Sequence, residues 1–244
     1  MKQKTYLVTG GSAGIGLATT RALLEQGDRV IITGRSAEKL AEVAQSLFGD
    51  LHWVVADNGK LSDIQALGDM LQRESWQLDG AVLNAGVYQP NIIGESSEEA
   101  FDHTFDINVK GTFFTIQALL PVLSRGASLV VISSLVVEKA FAHSSFYMAS
   151  KSALEGLMAG MSLDLADRGI RINSVQPGVT ATEIQGKSGM DDTQIAELHQ
   201  WMASTPLGRI LMPEDIVPSI RFLLSDGSLG MRHAKLLIDA GMNL

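Results

Sequence analysis

Short runs of Val, Ile and Leu alternate with longer amphipathic stretches along the chain, and this alternation restricts its possible folds more than any other feature. The pattern is typical of repeated strand–helix units, because strands buried on both faces of a parallel sheet need apolar side chains throughout. We therefore expect an α/β fold with one doubly wound, seven-stranded parallel sheet and helices on both faces. The predicted strands are 5–9, 29–33, 51–56, 80–83, 128–133, 171–176 and 235–239.

The amphipathic stretches predict helices between these strands. Several stretches start after Ser, Asp or Pro and end near a glycine, and these residues favour helix starts and ends. The predicted helices are 15–26, 37–48, 62–74, 97–123, 146–167 and 213–225.

No linker, repeat or charge block divides the chain, so we expect residues 1–244 to form a single domain. In a single domain the substrate site must be built from loops. The longest interruption, 183–205, carries apolar residues on one helical face and is expected to be a loop and helix that cover the substrate. A surface helix that only covers the core is the alternative.

Composition excludes several classes of protein. The 244 residues include no Cys, which excludes a disulfide framework, a thiolate metal site and a thiol nucleophile. The net charge of −8, from 19 Lys and Arg against 27 Asp and Glu, argues against nucleic acid as a partner. No run of about 18 apolar residues is present, so we expect no membrane partner and a cytoplasmic location.

A glycine cluster, Thr9-Gly10-Gly11-Ser12-Ala13-Gly14-Ile15-Gly16, lies between the first predicted strand and the first predicted helix. Glycines in this position let the chain turn tightly and approach a pyrophosphate, and the helix N-terminus adds free amides and a positive dipole end. The sequence therefore predicts a dinucleotide-binding Rossmann fold. The expected cofactor contacts are Gly10, Ser12, Gly14, Ile15 and Gly16.

The end of the second strand indicates which dinucleotide is bound. An NAD site places an acidic residue there, whereas this chain has Thr33-Gly34-Arg35. The Arg35 guanidinium is suited to a 2′-phosphate, so NADP (NADPH) is preferred over NAD. The alternative is that Arg35 is an ordinary solvated charge, because Ala13 supplies no second basic residue. Asp57, after the third strand, is expected to accept from the adenine amino group or to serve as a turn residue.

Tyr147 and Lys151 are four residues apart and therefore share one face of a predicted helix. Carbonyl reduction needs a proton donor, and a cation about 4 Å from a phenol contributes about 4 kcal/mol at an effective dielectric near 20. We expect Lys151 to lower the pKa of Tyr147 towards neutrality. Ser134 follows a predicted central strand and is expected to orient a substrate carbonyl oxygen, while Ser133 serves structure.

In these residues the chain resembles the short-chain dehydrogenase/reductase family over essentially its whole length. The motifs that carry the resemblance are Thr9–Gly16, Asn84-Ala85-Gly86, Asn108, Ser134, Tyr147 with Lys151, Pro177-Gly178 and the tail segments 206–209 and 213–216.

The resemblance implies a role for each catalytic candidate. Tyr147 is the general acid/base, Ser134 positions the carbonyl, and Lys151 binds the ribose and modulates the Tyr147 pKa. Asn108 holds a water that continues a proton relay to Lys151. The further cofactor contacts that it implies are Asn84, Ala85 and Gly86 at the adenosine ribose, and Pro177, Gly178, Thr180 and Thr182 over the nicotinamide.

The predicted function is an NADP-dependent oxidoreductase that transfers a hydride between NADPH and a small-molecule carbonyl or alcohol. The resemblance further implies a homotetramer or a homodimer. A 3-oxoacyl-(acyl-carrier-protein) reductase is the alternative, because Arg125 and Arg168 fall at that group's basic positions. The segment Val87-Tyr88-Gln89-Pro90 does not match that group. A non-catalytic NADP-sensing protein is a second alternative, and a nucleotide-sugar epimerase is disfavoured because 244 residues leave no room for its substrate domain.

The five His residues show no metal-ligand spacing, so no metal site is expected. His143 lies with Glu138 and Lys139 in 135–146, a stretch that is expected to border the substrate. Substrate identity depends on this loop and on the loops 87–97 and 183–205.

Overall fold

A computed structural model describes residues 3–244 of the chain, and Met1 and Lys2 of the predicted domain lie outside the described residues. Its strands form one parallel sheet in the order β3-β2-β1-β4-β5-β6-β7. The strands are β1 Thr5–Thr9, β2 Arg29–Gly34, β3 Asp50–Val55, β4 Leu78–Leu83, β5 Leu123–Ile132, β6 Arg171–Pro177 and β7 Lys235–Ile238. The predicted fold class is confirmed.

Helices cover both faces of the sheet. They are α1 Gly14–Glu25, α2 Ala37–Ser46, α3 Leu61–Arg73, α4 Glu98–Phe105, α5 Thr112–Leu119, α6 Ser145–Asp164, α7 Ile184–Lys187, α8 Asp192–Met202 and α9 Pro213–Leu224. Apolar residues of α3, α5 and α6 pack on one face of the sheet, and those of α1, α2 and α9 pack on the other.

Alternate residues of each strand enter the two cores, because successive side chains of a strand point to opposite faces. In β1, Leu7 packs with α3, α5 and α6, whereas Tyr6 and Val8 pack with α1, α2 and α9. This double burial accounts for the apolar runs in the sequence.

The predicted helix 97–123 is interrupted in the structure. Between α4 and α5 lies a π-helical segment, Asp106–Gly111, and α5 is followed by a 3-10 turn, Leu120–Val122. β5 then begins at Leu123, five residues before the predicted strand, because Pro121 lies in the 3-10 turn and cannot donate a helical hydrogen bond. A π segment is a rare, single-turn feature inside an α-helix, so a helical pattern of apolar residues does not indicate one.

The insertion 183–205 contains two helices, α7 and α8, and Asp191 and Gln194 form a capping box at the start of α8. Met202 at the end of α8 is fully buried in a small apolar cluster with Leu135 and Ile210. α8 is therefore anchored to the body of the protein at its carboxyl end.

The sheet grows outwards in both directions from β1 and β4: β2 and β3 follow on the side of β1, and β5, β6 and β7 follow on the side of β4. The strand order therefore reverses between β1 and β4. Ligands of doubly wound sheets bind at such a point, outside the carboxyl ends of the strands. Within residues 3–244, no helix is both long enough and apolar enough to cross a membrane.

Candidate active site

A cleft of about 560 Å³ runs along the carboxyl ends of the strands and is closed on one side by the insertion. Its walls include nearly all of the catalytic and cofactor-binding residues that were predicted from the sequence. The nominated residues that line it are Gly10, Ser12, Gly14, Ile15, Arg35, Asp57, Asn84, Ala85, Gly86, Ser134, Tyr147, Lys151, Pro177, Gly178, Thr180 and Thr182.

The glycine loop presents backbone to the cleft. Gly10 and Gly14 have φ values of +63° and +51°, which L side chains rarely adopt. α1 begins at Gly14, and its N-cap residue, Ala13, has no side-chain oxygen to accept from the first-turn amides. These amides and the positive end of the helix dipole therefore face an open cleft, which is the arrangement that binds a phosphate.

Gly16 was predicted to contact the cofactor, but it is buried and is absent from the lining of the cleft. A Cβ at this position would lie 2.3 Å from the carbonyl oxygen of Gly10. Gly16 therefore lets α1 pack closely beneath the glycine loop, and its contact with a cofactor stays a prediction.

Asn84 joins the ends of β1 and β4. Its Nδ2 donates to the carbonyl oxygens of Thr9 (2.9 Å) and Gly10 (3.2 Å). The backbone amides of Asn84 and Ala85 both donate to Thr9 Oγ1, at 2.9 and 3.0 Å. These bonds fix the glycine loop against β4, so the side chain of Asn84 supports the cleft wall.

Arg35 directly follows β2, is exposed, and borders the cleft. No ion pair holds its guanidinium among residues 3–244, and no acidic residue ends β2. Asp57 also borders the cleft, but its Oδ1 accepts from the amide of Gly59 at 3.0 Å. Asp57 is thus a turn residue that is also part of the wall.

Ser134, Tyr147 and Lys151 line the same cleft. Ser134 follows β5 and its Oγ accepts from the amide of Val136 at 3.3 Å. Lys151 is buried on α6, and its Nζ donates to the carbonyl oxygen of Ile132 at 2.8 Å. The same Nζ lies 5.6 Å from the centre of the Tyr147 ring, so the three functional groups converge on one side of the helix.

The pKa of Tyr147 moves in the opposite direction from the expectation. Burial is the largest effect and raises the pKa of Tyr147 to about 12. The hydrogen bond with Ser134 lowers this pKa, but by less than burial raises it, and Tyr88 raises it slightly further. Burial lowers the pKa of Lys151 to about 8, against an opposing effect of the Glu155 carboxylate. The expectation that Lys151 lowers the pKa of Tyr147 towards neutrality is therefore wrong for the protein chain by itself. The spacing of two residues along a helix does not indicate how deeply a phenol is buried.

Asn108 lies in the π segment and is fully buried. Its Oδ1 accepts from the amide of Val87 at 2.8 Å, and its Nδ2 donates to the carbonyl oxygen of Val87 at 2.9 Å and to Ser150 Oγ at 3.1 Å. Ser150 in turn donates to the carbonyl oxygen of Tyr147 at 2.8 Å. Asn108 does not line the cleft; its side chain ties the chain after β4 to α6 behind the catalytic face.

Gly86 separates Asn108 from Lys151. A Cβ at this position would lie 3.2 Å from Asn108 Oδ1 and 3.5 Å from Lys151 Nζ. The two groups are therefore neighbours across a residue without a side chain. The water-holding role of Asn108 stays a prediction.

Tyr88 is a residue of the site that was not predicted from the sequence. Its ring contacts the Tyr147 ring edge to face, with centroids 5.2 Å apart, and its hydroxyl lies 3.2 Å from Ser144 Oγ. Its position just after the Asn84-Ala85-Gly86 motif at the end of β4 was the available signal.

The stretch 135–146 borders the cleft, as expected, but through different residues. Leu135, Val136, Phe141, Ala142 and Ser144 line it, whereas Glu138, Lys139 and His143 do not. Lys139 donates instead to the carbonyl oxygen of Met242. The expected substrate-side role of these three residues is thus corrected. Within the described part of the chain, no three His, Cys, Asp or Glu side chains cluster as metal ligands.

Comparisons with known proteins agree with this geometry. Residues 10–243 match the family model described as Enoyl-(Acyl carrier protein) reductase. The L-rhamnose 1-dehydrogenase (NAD(P)(+)) of Sphingomonas sp. (strain SKA58) is 32% identical, with 99% of this chain and 97% of that protein covered. The 3-oxoacyl-(acyl-carrier-protein) reductase of Rickettsia conorii is 31% identical, with 98% and 96% covered. A short chain dehydrogenase family protein from Francisella tularensis superposes with a TM-score of 0.85 at 31% identity, with 98% of each chain covered.

Proposed function

Because the chain belongs to the short-chain dehydrogenase/reductase family, we propose that it is an NADP-dependent oxidoreductase that interconverts a small-molecule carbonyl and its alcohol. The observation that carries the proposal is one cleft that contains a glycine loop at a helix N-terminus together with Ser134, Tyr147 and Lys151. A phosphate-binding end and a proton-donating end in one continuous cleft match a dinucleotide whose reactive ring lies beside the substrate.

The residues present fit a dinucleotide. The uncapped first turn of α1 suits the pyrophosphate, and a Cβ at Gly14 would lie 3.0 Å from Thr182 Cγ2, so the loop has no room for a side chain. Asn84 to Gly86 would hold the adenosine side, Lys151 the nicotinamide ribose, and Pro177 to Thr182 the nicotinamide. When bound, NADPH supplies the hydride.

The remaining chemistry belongs to side chains of this chain. Ser134 donates to the carbonyl oxygen of the substrate and so holds the carbonyl beside Tyr147. With a pKa of about 12, Tyr147 carries its proton at neutral pH and donates it to the same oxygen as negative charge develops there. The Lys151 cation favours the tyrosinate that remains and holds the ribose. In the oxidation direction the same groups act in reverse.

Arg35 supports NADP as the preferred cofactor. A carboxylate at the end of β2 would repel a 2′-phosphate, whereas an exposed guanidinium at the cleft can form a forked, charge-assisted contact with it. The related dehydrogenase carries both dinucleotides in its name, so kinship alone does not decide between them.

The carrier-protein alternative receives less support from the basic residues that suggested it. Arg125 donates to the carbonyl oxygen of Asp167 at 2.8 Å, and Arg168 donates to those of Leu120 and Leu123 at 2.8 and 2.6 Å. Both guanidinium groups thus hold turns near the amino ends of strands. These contacts account for Arg125 and Arg168 without a carrier protein.

We also propose assembly into a homotetramer or homodimer through α6 and its neighbours. Leu163 on the outer side of α6 is 79% exposed, and nothing lies within 4 Å of a Cβ built on Gly156 or Gly160. A flat, apolar helix face of this kind suits packing against the same face of a second copy.

The proposed function is tested by following NADPH absorbance with a panel of aldehydes and ketones, and NADP reduction with the corresponding alcohols. Turnover of at least one carbonyl with NADPH is the expected result. Tight NADPH binding without turnover of any carbonyl would contradict the proposal and favour the NADP-sensing alternative.

A further inference from the structure

The part of the cleft beyond Tyr147 is built from apolar side chains. They come from four separate segments: the chain after β4, the stretch 135–146, the chain after β6 and the insertion. The principal ones are Tyr88, Val136, Phe141, Val179, Leu198 and Trp201. Phe141 and Val179 also pack against the cluster that contains Met202, so this wall is continuous with the anchor of α8.

Except for Lys151, the charged side chains that line the cleft either form ion pairs with each other or lie at the adenosine end, away from Ser134 and Tyr147. Arg35 and Asp57 border the adenosine end. Glu183 is paired with Lys187 at 2.7 Å and with Lys39 at 3.5 Å. Apart from Lys151, no charged side chain among residues 3–244 of the lining is left for a substrate beside Ser134 and Tyr147. A carboxylate or phosphate on the substrate would be desolvated there without a partner.

Two of the polar side chains that line the cleft, Ser144 and Gln185, already have hydrogen-bond partners, whereas Ser133 Oγ is buried without one. Ser144 Oγ lies 3.2 Å from the Tyr88 hydroxyl and donates to the carbonyl oxygen of Ala142 at 3.2 Å. Gln185 donates to the carbonyl oxygen of Thr180 at 2.7 Å and accepts from the amide of Thr182 at 3.2 Å. The several hydroxyls of a sugar would therefore find few partners, although a relative of this chain is named a rhamnose dehydrogenase.

Given the proposed oxidoreductase function, on which this inference rests, we propose that the substrate is an uncharged ketone that carries an aromatic or alicyclic ring, or the corresponding secondary alcohol. The ring packs between Tyr88 and Trp201 while the carbonyl meets Ser134 and Tyr147. Tyr88 is fixed by its edge-to-face contact with Tyr147, and Trp201 precedes the buried Met202. Trp201 is 47% exposed, so a ligand has ring surface to cover.

A matched set of ketones tests the substrate class. We expect kcat/KM with NADPH to be highest for benzylacetone, about tenfold lower for butanone, which lacks the ring, and at least tenfold lower for phenylpyruvate and dihydroxyacetone. Phenylpyruvate keeps a ring but adds a carboxylate, and dihydroxyacetone replaces apolar surface by hydroxyls.

A variant then locates the ring. Trp201→Ala should reduce the benzylacetone-to-butanone ratio of kcat/KM about tenfold, because the ring loses its packing surface. Trp53→Ala is the matched control: Trp53 is 40% exposed on β3 and does not line the cleft, so the ratio should stay as in the unmodified protein.

The possible failures are distinguishable. A preference for phenylpyruvate or dihydroxyacetone overturns the substrate class but leaves NADPH-dependent carbonyl reduction standing. An unchanged ratio in Trp201→Ala overturns the placement of the ring. Absence of turnover with every carbonyl overturns both this inference and the proposed function.

Discussion

Tyr147 and Lys151 lie one helical turn apart, and burial moves their pKa values in opposite directions, to about 12 and about 8. Desolvation always favours the neutral form, which for a phenol is the protonated one and for an amine the deprotonated one. At neutral pH both groups still carry their protons. Tyr147 is then ready to donate a proton, and Lys151 is still a cation beside it.

Titration of Lys151 should therefore limit activity at alkaline pH. A lysine loses its charge as the pH rises through its pKa, so we expect kcat/KM for NADPH in carbonyl reduction to fall above about pH 8. Tyr147 keeps its proton over this range. In Lys151→Arg the guanidinium stays charged, and whatever activity remains should lose this fall. A profile of the unmodified enzyme that stays flat to about pH 10 would contradict the assignment, since an unperturbed lysine titrates only there.

Arg35 should determine the choice between dinucleotides. A charge-assisted hydrogen bond contributes about 1.5–3 kcal/mol, so we expect Arg35→Ala to weaken NADPH binding about tenfold to a hundredfold and to leave NADH binding unchanged. Cofactor fluorescence titration measures both affinities. Arg73→Ala, an exposed arginine on α3 that does not line the cleft, serves as the control. Equal affinities for the two cofactors, unchanged by Arg35→Ala, would show that the Arg35 interpretation is wrong.

Helical spacing and position at strand ends were enough to predict single site residues from the sequence, but not the environment of their side chains. Ser134, Tyr147 and Lys151 were nominated from strand ends and helical spacing, and they line one cleft. The direction of the Tyr147 pKa shift was missed because it depends on burial by loops. Tyr88 and Trp201 lie in the segments 87–97 and 183–205 that were expected to shape the substrate site, but neither was predicted as an individual contact, because their neighbourhood is created by segments distant in sequence.

The π segment Asp106–Gly111 positions a side chain that braces the site. It presents Asn108 to both backbone groups of Val87 and to Ser150 on α6. A π segment is a rare, single-turn interruption of an α-helix, so the helical pattern predicted the helix but not its interruption. Strand and helix cores were predicted to within a few residues, and the larger error, at the start of β5, followed from Pro121.

Removal of the Asn108 side chain should destabilise the protein. Asn108→Ala leaves the amide and the carbonyl of Val87 without their partners, and we expect a loss of about 2–4 kcal/mol in the free energy of unfolding. Urea denaturation measures it. Asn243→Ala, an exposed residue near the carboxyl terminus, should change stability by less than about 0.5 kcal/mol. Equal stabilities of the two variants would contradict the bracing role of Asn108.

For the whole molecule, the net charge of −8 contrasts with the basic groups Arg35 and Lys151 that line the cleft. Such an arrangement suits an anionic dinucleotide. The doubly wound parallel sheet was predictable from the alternation of apolar runs, because few topologies bury the central strands on both faces.

Assembly is a property of the whole molecule that one substitution can test. The outer face of α6 carries the exposed Leu163 beside open glycine positions. We expect Leu163→Arg to shift the sedimentation of the protein from four or two chains towards one, because a charge would be buried without a partner at the contact. Phe48→Arg, a 97% exposed residue after α2, is the control and should leave the mass unchanged. A Leu163→Arg protein of unaltered mass would argue against α6 as the interface.

The central claim is that Tyr147 delivers the proton in NADPH-dependent carbonyl reduction. Tyr6→Phe is a matched control for Tyr147→Phe, because Tyr6 also loses only a hydroxyl group. Tyr6 lies on β1, packs in the core on the side of α1, α2 and α9, and does not line the cleft. The decisive measurement is kcat for one identified ketone, together with NADPH affinity by fluorescence. We expect Tyr147→Phe to lower kcat by about 10²–10⁴-fold while it still binds NADPH, and Tyr6→Phe to retain kcat. Full turnover by a folded, NADPH-binding Tyr147→Phe protein would contradict the account.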